Sequence, residues 1–178
     1  MRKQNLLTLL ILLSSTLFYV SCQKESTLKD TNEPSAILQS QLNEKSLNPT
    51  FNLEVILRGD GQAFGLVKFR QDVDPSKIIT LNTWVRGLDP NHSYRLQRAV
   101  DAINVVDGNC TSTNWLTLGK GLVPQDITTD DNGTGREDLW RDVSMLPSGS
   151  TFDIHFRVID ATTNAVVLTS DCYQYTVR

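Results

Sequence analysis

Histidine is nearly missing from this chain, with two in 178 residues, and cysteine is scarce at three. His92 and His155 are too few for a histidine-rich metal centre, and neither stands beside a cysteine that it could activate. The sequence also lacks Cys-x-x-Cys, His-Glu-x-x-His, Gly-x-Ser-x-Gly and any phosphate-cradling glycine loop. These absences remove the common zinc, thiol, serine and nucleotide chemistries, and no cofactor is expected. An enzyme here would have to work with carboxylates alone. An excess of basic residues is missing too: 17 Lys and Arg face 20 Asp and Glu, a net charge of −3. That balance excludes a nucleic-acid-binding surface of the usual kind. Finally, no apolar run is long enough to span a bilayer, which takes about 20 residues. The longest covers 6–20.

What is present begins with that run. Arg2 and Lys3 precede it, and small Ser21 follows it, the order of an export signal. Tyr19-Val20-Ser21-Cys22 resembles the lipobox of bacterial lipoproteins, in which the cysteine is thioether-linked to diacylglycerol, freed by a dedicated peptidase and N-acylated. Tyr19 stands where leucine is usual. The polar continuation Ser21-Cys22-Gln23-Lys24-Glu25 is most similar to lipoproteins of the Bacteroidota, which use relaxed lipoboxes. The resemblance implies a signal peptide over 1–21 and an acylated Cys22 that holds the protein to a membrane, since two or more chains anchor stably. Gln23, in place of aspartate, implies the outer membrane as the location within the cell envelope.

Removing 1–21 leaves 15 basic against 20 acidic side chains, a net charge of −5. Residues 22–49 are polar and poor in aromatics, the composition of a flexible tether behind the lipidated cysteine. With Cys22 assigned to lipid, Cys110 and Cys172 remain as a pair that an oxidising envelope would join. Such a disulfide closes a loop of about 60 residues and contributes about 4 kcal/mol in the chain-entropy account.

Residues 50–178 carry a period of two. Phe51, Leu53, Val55 and Leu57 share one face, as do Phe152, Ile154, Phe156 and Val158, which marks half-buried strands. Further strands are predicted over 63–69, 78–85, 94–100, 139–145, 166–169 and 173–177, with weaker ones near Trp115 and Ile127. Asp60-Gly61, Asp107-Gly108, Asn132-Gly133 and Ser148-Gly149 supply residues that suit tight hairpin turns. Short strands with turns at this spacing predict an all-β domain, an antiparallel Greek-key β-sandwich. The segment Gly87-Leu88-Asp89-Pro90-Asn91-His92-Ser93-Tyr94 resembles the tyrosine corner of fibronectin type III and other immunoglobulin-like domains, which implies that the Tyr94 hydroxyl ties an interstrand corner to nearby backbone. The same segment resembles the Gly-Leu-x-Pro stretch of copper/zinc superoxide dismutases. Arg95 and Gln97 occupy the places of that family's histidine ligands, so its metal chemistry is not implied.

The remaining candidates are few. His92 in the corner turn is expected to be exposed. His155 alternates with Asp153 and Arg157 on the strand face opposite the Phe152 stripe, so it is expected to face solvent or a groove. Asp130, Asp131, Glu137, Asp138 and Asp142 cluster in sequence, and two of them could serve a hydrolase if they faced each other across a groove. A calcium loop fails on its template, because Thr128 stands where an acid should begin it and Leu139 where a bidentate glutamate should end it. Arg58-Gly59-Asp60 reads as turn chemistry. Trp84 and Trp115 are expected in the core by default, with Trp115 also a candidate ligand-binding residue. Trp140 is out of phase with Leu139, Val143 and Met145, so an exposed indole suited to a sugar or a protein contact is expected there. The reading at this level is a non-enzymatic envelope lipoprotein that binds or scaffolds a partner. A glycan-binding module and a carboxylate-based hydrolase are the alternatives.

Overall fold

The computed structural model describes residues 50–178. The signal at 1–21, Cys22 and the tether at 22–49 lie outside the described residues. Twelve strands and no helix are present among the described residues: β1 (Phe51–Arg58), β2 (Phe64–Gln71), β3 (Ile78–Arg86), β4 (Ser93–Val100), β5 (Leu116–Thr117), β6 (Gly119–Lys120), β7 (Val123–Pro124), β8 (Ile127–Thr128), β9 (Gly135–Asp142), β10 (Thr151–Asp160), β11 (Val166–Ser170) and β12 (Tyr173–Thr176).

The strands form one mixed sheet in the order β5-β4-β10-β11-β1-β2-β3-β9-β6-β7. It is nearly closed into a barrel. β8 pairs with β4 through Ser93↔Thr128 and Tyr94↔Ile127, and the adjoining bridge Thr129↔Gly135 links it to β9. The pairing is not wholly antiparallel, because Lys120 of β6 runs parallel to Trp140 of β9. The all-β expectation therefore holds, and the architecture is a curled, almost continuous sheet.

The alternation places the core as the sequence requires. Val55 and Leu57 of β1, Val67 and Phe69 of β2, and Ile154, Phe156 and Val158 of β10 are buried inside. Asp60-Gly61 turns the β1–β2 hairpin, with Ala63 N–H donating to the Asp60 carbonyl at 3.1 Å. Asn132-Gly133 turns β8 into β9, and Gly133 adopts φ 70°. A side chain there would meet the Leu88 carbonyl oxygen at 2.0 Å, so only glycine fits.

Two turn expectations are corrected. Asp107-Gly108 lies within a long connection from β4 to β5 and makes no hairpin, and Ser148-Gly149 belongs to the crossing from β9 to β10. The start of β9 is also earlier than 139. Its first half, Gly135-Arg136-Glu137-Asp138, is charged, so it shows no apolar stripe. Full pairing with β3 nevertheless makes it strand, from Val85↔Gly135 to Ile78↔Asp142.

The Cys110–Cys172 disulfide is formed, with Cα atoms 5.4 Å apart. It fastens the 101–115 connection over the outer face of β10. Asp153 is buried beneath that connection and accepts the Asp107 and Gly108 N–H groups, each at 2.9 Å. Asp101 holds it at the other side by accepting the Thr111 and Ser112 N–H groups at 3.0 and 2.7 Å. These bonds keep the Asp101 carboxyl below the usual carboxylate range.

Candidate functional site

The two ends of the barrel are built differently. At one end Tyr94, almost fully buried, accepts the Asp89 N–H through its hydroxyl at 3.0 Å, the corner tie that the sequence suggested. Ile127 from β8 plugs the same end and is also fully buried. Thr129 donates through its hydroxyl to the Asp89 carbonyl at 2.6 Å and accepts the His92 N–H at 3.0 Å. The 130–134 turn docks on the corner through Leu88 N–H to the Gly133 carbonyl and Asn91 N–H to the Asp130 carbonyl, both 3.2 Å. Nearly every polar group at this end has a partner inside the fold.

His92 belongs to this end and corrects an expectation. It is half-buried, and its Nε2 lies 2.8 Å from Asp160 Oδ2. Asp160 also accepts the Thr162 and Thr163 N–H groups, and together these contacts pull its carboxyl down to about 2. The histidine thus braces a turn.

The opposite end is open. Along β4, Tyr94, Leu96, Arg98 and Val100 share the inward face, and along β9 so do Leu139 and Arg141. The periodicity that buries Leu96 and Leu139 aims two guanidinium groups into the mouth of the barrel. Both line an apolar cavity of about 170 Å3, walled by Phe69, Ile79, Leu81, Phe152, Ile154 and Phe156. Arg141 donates to the Gly121 carbonyl at 3.1 Å. Among the described residues Arg98 has neither a salt bridge nor a side-chain hydrogen bond. Burial, with the nearby Arg141 adding to it, lowers the Arg98 pKa from its ordinary value. The carboxylate among the lining residues, Asp101, is committed to the Thr111 and Ser112 N–H groups.

Sequence reasoning had passed over these arginines. The signal lay in the alternation itself, since Arg98 falls on the stripe of Tyr94, Leu96 and Val100.

The tryptophans take three different places. Trp115 is outside the barrel, half-buried between His155, with ring centroids 4.6 Å apart, and Arg157, whose guanidinium carbon is 4.0 Å from the indole centroid. His155 is half-buried under the 101–115 connection, its Nε2 3.0 Å from the Ser112 carbonyl oxygen, which fits the groove rather than open solvent. Trp84 sits on the outer face of β3 against Phe64, with Arg86 over both rings. The core expectation for Trp84 and Trp115 is corrected: Trp84 falls at an outward register position of β3, and Trp115 precedes β5 and packs on the outside. Trp140 is 39 % exposed, as its phase indicated, near exposed Leu122 and Val123 of the β6–β7 hairpin.

The acidic residues do not converge. Glu137 pairs with Lys120 at 2.8 Å, Asp138 accepts from Asn82 at 2.8 Å, Asp130 caps the N–H groups of Asn132 and Thr134, and Asp142 caps that of Ser144. Asp131 accepts from Asn91 at 2.8 Å. Arg95 and Gln97, at the positions where the dismutase resemblance would place ligands, are likewise occupied: Arg95 by Asp126 at 2.6 Å, Gln97 by Thr117 and Arg157. Among the described residues no three His, Cys, Asp or Glu side chains are grouped as metal ligands. No protein-family model matches this chain, and no curated protein matches it either.

Proposed function

We propose that this protein is a non-enzymatic lipoprotein of the bacterial cell envelope, anchored in the outer membrane through Cys22, whose β-domain binds a partner at its open end. The observation that carries the binding role is the pair of inward arginines, Arg98 and Arg141, over an apolar cavity. Both arginines are half-buried, and partial desolvation of a charge without an ion pair is costly, so two of one sign held together over an apolar cavity favour an anionic occupant. The envelope address rests on the lipobox-like Tyr19-Val20-Ser21-Cys22, and the Cys110–Cys172 disulfide suits an oxidising compartment. The signal at 1–21 and the tether at 22–49 complete this reading. We also assign the domain to the Greek-key, immunoglobulin-like sandwiches. On that assignment β1, β2, β3 and β9 would form one layer and β4, β10 and β11 the other, joined where β1 pairs with β11.

Metabolic labelling with an alkyne fatty acid tests the anchor. Label should enter the wild-type chain, and Cys22→Ser should carry none and leave the membrane fraction. Equal labelling of both would overturn the anchored reading.

A glycan-binding module has one observation in its favour, the exposed Trp140 beside polar Thr80 and Asp138 on the outer face. It would bind sugars through that face, and Trp140→Ala would abolish binding to a glycan array.

A further inference from the structure

The inward arginines carry more than a mouth. We propose that the open end of the barrel is a binding site for a small amphipathic organic anion, a carboxylate whose apolar body is one ring or about six carbons. This deepens the binding role assigned above and rests on it.

Size sets the apolar part. A cavity of about 150 Å3 lined by hydrocarbon stays dry and holds one benzene-sized molecule, and the cavity here measures about 170 Å3. Its walls are the aromatic and aliphatic side chains of β2, β3 and β10, which offer a ligand contact without hydrogen bonds. The body must therefore be compact and apolar.

Charge sets the head. Arg98 and Arg141 project from β4 and β9, the strands on either side of the barrel seam, and a guanidinium presents a planar fork that matches a carboxylate with two parallel N–H···O bonds. Arg141 is oriented by the Gly121 carbonyl, which uses one of its five donors. Arg98 has every donor available among the described residues. Asp101, on the rim, is held by its backbone partners and forms no ion pair with either arginine. An anion placed between the two guanidinium groups would relieve their mutual repulsion and pair Arg98.

A neutral apolar molecule would fill the cavity and leave the arginines as they are. A bare anion would pair the arginines and leave the cavity empty. Only a molecule with both parts answers both features.

The test titrates hexanoate and phenylacetate into the purified full chain by calorimetry, with hexan-1-ol and acetate as the matched half-ligands. Saturable one-to-one binding of both carboxylates is expected, at least tenfold tighter than either half-ligand. Arg98→Met should weaken it at least tenfold, and Arg141→Met likewise. Val100→Phe, which fills the cavity and retains both charges, should weaken hexanoate and spare acetate. Melting curves of each variant without ligand establish that it is folded. Hexan-1-ol binding as tightly as hexanoate, undiminished binding in both arginine variants, or no heat with either carboxylate would overturn the proposal. Failure of this site and failure of the anchor separate cleanly. Loss of label with retained hexanoate binding removes only the envelope placement, and retained label with no carboxylate binding removes only the ligand.

Discussion

The closed and open ends of this barrel share strands and differ in how their polar groups are satisfied. At the closed end Tyr94, Thr129, Asp130 and His92 all find partners inside the fold. At the open end, reached along the same β4 and β9, Arg98 has none among the described residues and Arg141 has a single carbonyl. Polar groups that are buried and partnered contribute to stability, whereas half-buried charges without an ion pair carry a desolvation cost that the fold does not offset. On the proposed function, the closed end is the structural half and the open end the receptive half.

Breaking the disulfide should separate the halves most. Cys110→Ser with Cys172→Ser should cost about 4 kcal/mol in urea unfolding. The 101–115 connection covers the outer face of the open half, through Asp153 and His155. Amide exchange should therefore rise at Ala99, Val100 and Ile154 while Tyr94 and Leu96 remain protected. Uniform loss of protection would show that the two ends do not respond separately.

Truncating the plug comes next. Ile127→Ala at the closed end removes a fully buried side chain and should cost about 3 kcal/mol. Leu146→Ala at the partly covered rim of the cavity should cost about 1 kcal/mol, because much of that surface already meets solvent. Equal costs would erase the distinction.

Tyr94→Phe is smaller. It deletes the acceptor for Asp89 N–H and should cost about 1 kcal/mol, with no effect on hexanoate binding. Acid offers a pH-resolved version of the same point. The Asp160 carboxyl is depressed to about 2 in the folded chain, against an ordinary value of about 4. Its stabilisation is complete above about pH 4 and disappears as the pH falls through about 2. Asp160→Asn should flatten that part of the stability profile, and an unchanged acid limb would contradict the bracing role given to the 160–163 turn.

How much of this was legible beforehand depends on the physics that each feature obeys. The strands around Val55 and Phe156 were readable because a two-sided environment writes itself as alternation. The Cys110–Cys172 bridge followed from counting cysteines, and the tie of Tyr94 from its local motif. The first half of β9 was hidden, since Arg136, Glu137 and Asp138 stay in the strand by pairing with Trp84, Thr83 and Asn82 rather than by burial. His92 was read as exposed because its partner Asp160 is 68 positions away, and such a pair exists only in the fold. The outward place of Trp84 follows from register, which outweighs its size, and that of Trp115 from its stacking on His155 and Arg157. Arg98 and Arg141 were visible one at a time as charges on apolar stripes. That they meet at one end of a nearly closed barrel is a property of the strand order, which alternation does not encode.

The most direct measurement compares the equilibrium unfolding of Arg98→Met and Tyr94→Phe in urea, each against the wild type. A structural arginine would be missed, whereas replacing a half-buried charge that has no ion pair with an apolar side chain of similar volume removes its desolvation cost. The account predicts that Arg98→Met is at least as stable as the wild type while Tyr94→Phe is weaker. A loss in Arg98→Met equal to or greater than that in Tyr94→Phe would show that the open end holds the fold together and is not a site kept at the expense of stability.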